Sequence, residues 1–183
     1  MLENKLGITD STELARMEEK ISKQKALEMF ESGFFETLEL GTYKSLAMIH
    51  QYLFDEIYDF AGKLRKVNIS KGNFRFAPLM YLEAALQSID KMPQSTFDEI
   101  VEKYVEMNVA HPFRDGNGRV GRLIMFKECL KYNIVPFIIE DNLKMFYYRG
   151  LKEWNNEKGY LTDTCLTAQD KYKAYLDYFR IAY

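Results

Sequence analysis

Cysteine and histidine, the residues most used for metal and redox chemistry, are scarce in this sequence. Only two cysteines occur among 183 residues, Cys129 and Cys165, and they form no CxxC pair. This argues against a cysteine-bound metal or a redox motif, and it favours two buried thiols in a reducing compartment. The only histidines are His50 and His111. Any histidine-based proton transfer therefore depends on one of these two positions.

A concentrated positive charge and a long apolar run are also lacking. The 25 lysines and arginines are outnumbered by 27 acidic residues, for a formal net charge of −2. Nucleic-acid binding is not expected, because it needs a clustered cationic face, whereas a small phosphate ligand needs only two or three cations. No apolar run approaches the roughly 20 residues of a membrane span, and the N-terminus does not read as a signal peptide. We therefore expect a cytoplasmic protein that does not bind membranes.

Apolar residues make up 47% of the chain and recur with helical spacing nearly throughout. This periodicity predicts an all-α fold, and the length suits a single domain over 1–183. Thr96 and Glu99 match a capping box and predict the start of a helix just after Pro93. The predicted helices cover 12–32 (one or two helices), 44–60, 80–92, 97–110, 123–131, 141–155 and 164–180.

Residues 68–78, which read NISKGNFRFAP, are the exception to the helical pattern. Phe74, Arg75 and Phe76 alternate between apolar and charged after Lys71 and a glycine, which is typical of a short strand or hairpin. The predicted fold class is therefore all-α with one small β element.

The most informative segment is the loop over 111–122, which reads HPFRDGNGRVGR. One helix is expected to end near Ala110 and the next to begin near Arg119, with a proline and glycines interrupting them. Because glycine has no Cβ, Gly116 and Gly118 let backbone N–H groups approach an anion closely. The N-terminus of the following helix adds unpaired N–H donors. The segment therefore predicts a phosphate-binding loop.

Charged side chains accompany this loop. Arg119 and Arg122 stand three residues apart, on one side of the predicted helix, and guanidinium groups suit phosphate oxygens. Asp115 offers an oxygen ligand for Mg²⁺, and His111 is suited to proton abstraction near neutral pH. The alternative is a Gly-Asn-Gly helix connection with solvated arginines; a P-loop is excluded because no GxxxxGK[ST] occurs. His50 lies inside a predicted helix and is expected to be a partly buried structural residue.

The loop resembles the signature of the Fic family, H-x-F-x-[DE]-G-N-G-R-x-x-R, at every fixed position of the pattern. The segment 58–65 resembles the family's segment ahead of its flap, and 68–78 resembles the flap itself. The resemblance covers roughly 20–160. It implies a Fic-type helical domain of the GNGR type with a hairpin flap. It also implies a protein adenylyltransferase that moves AMP from ATP to a Ser, Thr or Tyr hydroxyl of a target protein and releases pyrophosphate.

The resemblance also implies a role for each matching residue. His111 would take the proton from the target hydroxyl, whose oxygen would attack the α-phosphate of ATP. Asp115 would hold Mg²⁺, and Arg119 and Arg122 would grip the outer phosphates. The other implied site residues are the anion hole (Gly116, Asn117, Gly118), the adenosine contacts (Tyr147, Tyr148, Asn155) and the flap that clamps the target by strand addition (Lys71, Gly72, Asn73, Phe74, Arg75, Phe76).

Many Fic enzymes carry an inhibitory helix with the motif [ST]-x-x-x-E-[GN], which this sequence does not match clearly. Thr9 with Glu13, and Ser95 with Glu99, have the spacing, but both lack the final glycine or asparagine. The predicted helix 164–180 contains no glutamate. Three possibilities follow: a small antitoxin-like protein supplies the glutamate in trans, the enzyme is constitutively active, or Thr9 and Glu13 form a degenerate motif.

Two kinds of alternative function are considered: other reactions of Fic-fold relatives, and a non-catalytic binding module. Fic-fold relatives also transfer other nucleotides, phosphocholine or a phosphoryl group, but Gly118 stands where the kinase-type loop has lysine, which favours AMP transfer. In relatives, removal of AMP is tied to the inhibitory glutamate, so the lack of a clear inhibitory motif disfavours this activity here. A non-catalytic nucleotide-binding or interaction module would be unaffected by His111→Ala. Phe34 and Phe35 are candidates for a homo-oligomer interface.

Overall fold

The computed structural model describes residues 2–71 and 74–183. The fold is helical with one two-stranded antiparallel hairpin, which confirms the predicted fold class. The chain forms two compact units, Met1–Lys91 with Met107–Gly121, and Met92–Glu106 with Arg122–Tyr183. Within the described ranges, no helix is both long and apolar enough to cross a membrane.

Local capping explains where the helices of the first unit begin. The Asp10 carboxylate accepts a hydrogen bond from the Glu13 N–H at 2.8 Å, which starts the first helix. The Thr42 hydroxyl accepts from the Ser45 N–H at 3.2 Å and starts the third. The elements lying wholly in this unit are α1 (Ser11–Glu31), α2 (Phe34–Thr37), α3 (Tyr43–Phe54), β1 (Ser70–Lys71), β2 (Phe74–Arg75) and α4 (Leu79–Asp90).

The apolar face predicted for the third helix forms the core of the first unit. Leu46, Ile49 and Leu53 are buried on α3, which packs against α1. The fourth predicted residue of that face, Ile57, is buried as well, but α3 ends at Phe54 instead of reaching residue 60. Turns follow the helix, and the helical spacing of apolar residues in the sequence therefore extends beyond the helix itself.

Phe34 and Phe35 lie on α2 and do not form an exposed pair. The Phe35 ring is 1% exposed, so the prediction that it lies at an oligomer interface was wrong. Its ring packs on Phe30 inside the unit, where it contributes to the core. Phe34 is half-buried and stacks on Tyr52 with ring centroids 4.9 Å apart.

The predicted β element is the hairpin of β1 and β2, with Ser70 opposite Arg75 and Lys71 opposite Phe74. The intervening Gly72 and Asn73, assigned to the flap from the sequence, lie outside the described residues. The chain after the hairpin is tied to the end of the helix that precedes the loop, because the Ala77 N–H donates to the Val109 carbonyl at 3.0 Å. This bond holds the base of the flap beside the start of the loop.

Two helices contribute to both units, α5 (Phe97–Ala110) and α6 (Asn117–Lys131). The predicted capping box at the start of α5 is confirmed: the Glu99 N–H donates to the Thr96 hydroxyl at 3.3 Å, and the Glu99 carboxylate accepts from the Thr96 N–H at 3.1 Å. α6 begins at Asn117, two residues before the position expected from the sequence.

In the second unit, α7 (Lys144–Glu153) follows a short 3₁₀ turn and packs against α8 (Gly159–Tyr178). Gly150 allows this approach, since a Cβ there would lie 2.7 Å from the Leu161 Cα. Cys129 and Cys165 are buried free thiols, as predicted, and burial raises the pKa of each to about 12.

Candidate active site

His111 follows the last residue of α5 in an unusual backbone conformation, with φ at 50°. Non-glycine residues adopt this left-handed region rarely, and often at functional sites. The His111 N–H donates to the Met107 carbonyl at 3.0 Å, and Nδ1 lies 3.2 Å from the Asn108 carbonyl oxygen. Because a carbonyl only accepts, Nδ1 carries the proton in the neutral ring. The lone pair on Nε2 is therefore the one suited to take a proton.

The flap covers the imidazole of His111. The Phe76 ring stacks on it with centroids 3.7 Å apart and planes 18° apart. Burial lowers the pKa of His111 to about 4, and the positive charges of Arg65 and Lys71 act in the same direction. The ring is therefore neutral at physiological pH, as a general base must be.

Arg65 fixes the backbone of His111 and the base of the flap together. Its Nε donates to the His111 carbonyl at 2.8 Å, and Nη1 donates to the Val67 carbonyl at 2.7 Å. Nη2 donates to the carbonyls of Ala110 and Ala77. The residue is 4% exposed, so its charge is satisfied almost entirely by these carbonyl dipoles. Sequence reasoning placed Arg65 in the segment ahead of the flap but gave it no role.

The loop after His111 is closed by Asn117, whose side chain is 7% exposed. Its Oδ1 accepts from the Phe113 N–H at 2.8 Å, and its Nδ2 donates to the Phe113 carbonyl at 2.8 Å. The amide therefore pairs with the loop backbone from both sides. Any contact between Asn117 and an anion would have to use its backbone N–H, at the N-terminus of α6.

His50 supports the same loop from α3. Its Nδ1 accepts from the Gly62 N–H at 2.9 Å, so Nε2 carries the proton and donates to the Asp115 carbonyl at 3.0 Å. The residue is fully buried, and burial lowers its pKa to about 4. The predicted structural role is confirmed, but the burial is complete rather than partial. The adjacent Gly116 has φ at 76°, and a Cβ there would lie 2.6 Å from the Phe54 ring.

Asp115 is exposed at the tip of the loop, and its Oδ1 accepts from the N–H of Gly116 at 2.7 Å. No group of three or more His, Cys, Asp or Glu side chains placed to hold a metal ion occurs among residues 2–71 and 74–183. A single carboxylate suits Mg²⁺, which commonly takes one or two carboxylates and fills its remaining positions with phosphate oxygens and water. Asp115 therefore fits a metal site that a nucleotide completes.

Arg119, on the first turn of α6, is held by side chains of the same unit. Nη2 forms an ion pair with Oε1 of Glu18, and the guanidinium carbon lies 4.7 Å from the centroid of the Phe54 ring. Nη1 lies 3.5 Å from the Ser22 hydroxyl. The other oxygen of Glu18 accepts a hydrogen bond from the Tyr58 hydroxyl. Arg119 keeps 31% of its side chain exposed.

Sequence reasoning missed Glu18, although one signal was present. Glu18 and Ser22 are four residues apart and share the buried face of α1 with Leu14 and Met29. An acidic residue at an apolar position of an amphipathic helix is costly to bury unless it has a partner. The pattern therefore indicates a buried ion pair, but it does not identify the partner.

The two sequence segments with inhibitory spacing lie at helix starts. Thr9 precedes α1, whose N-cap is Asp10, and Glu13 is exposed in the first turn. At the start of α5, the Glu99 carboxylate accepts from the N–H and hydroxyl of Ser95 at 2.8 and 2.9 Å. The second pair therefore has a capping function, as the capping box predicts.

Four predicted site residues belong to the second unit, namely Arg122, Tyr147, Tyr148 and Asn155. Arg122 is exposed on α6. Burial raises the pKa of the Tyr147 hydroxyl well above 10, and the positive charge of Arg122 acts in the opposite direction. Tyr147 is 8% exposed, and its hydroxyl donates to that of Tyr104 at 2.9 Å. Tyr148 is 53% exposed and Asn155 is exposed just after α7. Tyr148 is thus largely exposed to solvent, whereas Tyr147 packs within the unit.

Comparisons with known proteins show the family to which the chain belongs. The family model described as the Fic/DOC family matches residues 41–129. The chain is 30% identical over 144 residues to the probable protein adenylyltransferase y4lH of Sinorhizobium fredii, covering 72% of this chain and 71% of that protein. It is 31% identical to the probable protein adenylyltransferase Fic of Salmonella typhimurium over 67% of this chain and 64% of that protein. It is also 32% identical to the protein adenylyltransferase VbhT of Bartonella schoenbuchensis, but over only 27% of that longer protein.

Solved structures share the fold at lower sequence identity. The N-terminal Fic domain of an effector protein from Bartonella sp. AR 15-3 has a TM-score of 0.75 at 19% identity, covering 90% of this chain and 85% of its own. The BepC protein of Bartonella tribocorum, solved with bound AMPPNP, has a TM-score of 0.70 at 18% identity, covering 92% and 91%. With the signature loop closing one helix and opening the next beside a hairpin flap, the chain belongs to the Fic/DOC family.

Proposed function

We propose that the chain is a protein adenylyltransferase of the GNGR type, with residues 1–183 as one Fic domain. It transfers AMP from ATP to a Ser, Thr or Tyr hydroxyl of a target protein and releases pyrophosphate. The observation that carries the proposal is a neutral His111 stacked against Phe76, with Nδ1 bonded to the Asn108 carbonyl and the Nε2 lone pair suited to take a proton. The relatives named as protein adenylyltransferases, and the related fold that binds AMPPNP, support the same activity.

His111 acts as the general base in this proposal. Nε2 takes the proton of the target hydroxyl, the hydroxyl oxygen forms a bond to the α-phosphorus, and the bond from phosphorus to the pyrophosphate oxygen breaks. The Nδ1–H donates to the Asn108 carbonyl and stabilises the imidazolium that forms. Arg65 holds the His111 carbonyl, so the ring is oriented before the target arrives.

Negative charge on the phosphates is stabilised by groups of the loop and the helix start. The first N–H groups of α6 have no intrahelical acceptor, and the helix dipole favours an anion at this end. Arg119 adds a guanidinium whose orientation is already set by its neighbours. Bound Mg²⁺, held by Asp115, would neutralise phosphate charge. The assignments of Arg122, Tyr147, Tyr148 and Asn155 to nucleotide binding rest on the resemblance and stay predictions.

The flap is proposed to bind the target by strand addition. Lys71, Phe74 and Arg75 are exposed on its two short strands, and backbone pairing accepts varied target sequences. Phe76, at the end of the flap, stacks on the imidazole of His111, so a target strand paired with the flap would lie next to the general base. An inhibitor acting in trans stays a prediction.

Radiolabelled ATP tests the reaction. Adding the purified chain and Mg²⁺ to a cell lysate should increase protein label from α-³²P-ATP, and it should add no label from γ-³²P-ATP beyond that of the lysate alone. Label only from the γ position would mean phosphoryl transfer and would overturn the proposal.

The general base is tested with His111→Asn and His111→Ala. Asparagine tolerates the left-handed backbone, as Asn133 at φ 55° shows in this chain, but it cannot accept the proton. Labelling should fall by about 10²–10⁴-fold in both variants while the melting temperature of His111→Asn stays near that of the wild type. Unchanged labelling by a folded variant would show that His111 is not the general base.

A further inference from the structure

We propose that Glu18 is a positioning residue for Arg119, and that Tyr58 and Phe54 complete the frame that holds this arginine ready for nucleotide phosphates. The inference rests on the proposed function, in which Arg119 binds the phosphates beyond the α position.

The carboxylate of Glu18 divides its two oxygens between two partners. Oε1 pairs with Nη2 of Arg119, and Oε2 accepts from the Tyr58 hydroxyl. Glu18 is 8% exposed, so little water competes with either contact. A carboxylate engaged at both oxygens cannot rotate without losing a charge-assisted hydrogen bond. Tyr58 therefore fixes Glu18, and Glu18 fixes Arg119.

Two further contacts define where the guanidinium lies. The Phe54 ring is 4.7 Å from the guanidinium carbon, and the Ser22 hydroxyl is 3.5 Å from Nη1. The carboxylate and the hydroxyl come from α1 and the ring comes from α3, and both helices belong to the first unit. The arginine is thus oriented from several directions, yet 31% of its side chain is exposed to a ligand.

Orientation explains this arrangement better than stability does. A buried ion pair contributes little net stability, because desolvation of both charges offsets their attraction. A long arginine side chain loses rotamer freedom when it binds a phosphate, and one that is already held loses less. The frame therefore favours phosphate binding by pre-organisation.

The alternative role for Glu18 is inhibition of ATP binding, and the direction of the change in ATP affinity separates the two roles. A carboxylate next to Arg119 competes with phosphate for the same positive charge, so Glu18 acting as a brake would weaken ATP binding. Removing the charge of Glu18 then raises the affinity for ATP. Under the positioning proposal the same substitution lowers it.

The experiment compares the binding of ATP and AMP by calorimetry in the presence of Mg²⁺. AMP lacks the outer phosphates, so a change in the orientation of Arg119 should affect ATP selectively. Glu18→Gln should weaken ATP binding about tenfold, the size of one charge-assisted hydrogen bond, and change AMP binding less than about twofold. Tyr58→Phe, which keeps the ring and removes the hydroxyl, should weaken ATP binding in the same direction by a smaller factor. Glu31→Gln, an exposed acid on the same helix, is the matched control and should change neither.

Several results would overturn the proposal. Tighter ATP binding by Glu18→Gln would make the residue a brake, and equal loss of ATP and AMP binding would make it a purely structural residue. If Glu18→Gln does not fold, the selective loss of ATP affinity in Tyr58→Phe carries the test. Arg119→Ala separates this inference from the proposed function. If that variant binds ATP normally, the phosphate role of Arg119 fails. If it loses affinity while Glu18→Gln does not, only the positioning role fails.

Discussion

Replacing Gly116 by alanine tests the packing that supports the candidate active site. Gly116 lies between the exposed Asp115 and the N-terminus of α6, with φ at 76°. An added Cβ would lie 2.6 and 2.9 Å from two atoms of the Phe54 ring and 3.3 Å from Nε2 of His50. Both neighbours are buried, at 1% and 0% exposure, so neither side chain has free space to move into.

Two costs combine in the expected loss of stability. The left-handed backbone disfavours any residue with a Cβ by about 1–2 kcal/mol, while alanine reduces the entropy of the unfolded chain and recovers about 0.4–1 kcal/mol. Forcing a methyl group into the contact with Phe54 costs a further ~1–3 kcal/mol. Gly116→Ala should therefore destabilise the chain by about 3 kcal/mol.

Gly33→Ala is the matched control, because it isolates the backbone cost from the steric cost. Gly33 has φ at 72° and nothing within 4 Å of the position of a Cβ. It should lose only about 1 kcal/mol. The difference of about 2 kcal/mol corresponds to a gap of roughly 4–8 °C between the melting temperatures of the two variants for a chain of this size.

Thermal unfolding followed by circular dichroism measures this gap directly. Equal melting temperatures for the two variants would refute the reasoning, because the contact with Phe54 would then contribute nothing. A Gly116→Ala variant that is as stable as the wild type would show in addition that the loop can relax away from its buried neighbours.

Three further predictions use other parts of the structure. Gly150→Ala should lower the unfolding free energy by about 1–3 kcal/mol in urea titration, because its Cβ would meet the Leu161 backbone at 2.7 Å; an unchanged midpoint would contradict this. His50 and His111 have folded-state pKa values lowered to about 4 by burial, so the unfolded chain binds more protons between pH 6.5 and 4. The stabilising contribution of these neutral histidines should be fully present above pH 6.5 and fall as the pH drops towards 4, by up to about 3 kcal/mol from His50. Urea titrations across this range measure the free energy of unfolding, and a flat profile would contradict neutral burial. The acid limb of kcat/KM for labelling should likewise lie well below pH 6.5, because His111 stays unprotonated, and a limb at 6.5 or above would contradict the lowered pKa.

Local sequence predicted the features that depend on neighbours within one helical turn or one hairpin. Thr96 and Glu99 are three residues apart and form the capping box that their spacing indicates. Phe74 and Lys71 pair in the flap hairpin that alternation predicted. The residue types of the 111–122 loop predicted a phosphate-binding loop, because glycines, arginines and an acid at this spacing suit an anionic ligand.

Only the tertiary structure decided how that loop is held. Glu18 reaches Arg119 from the first helix, and Arg65 reaches the carbonyl of His111 across 46 residues of sequence. Periodicity shows that a charged residue is buried, but the identity of its partner depends on which segments the packed core brings together. The sequence by itself therefore determined which groups could do chemistry, and folding determined which of them are oriented for it.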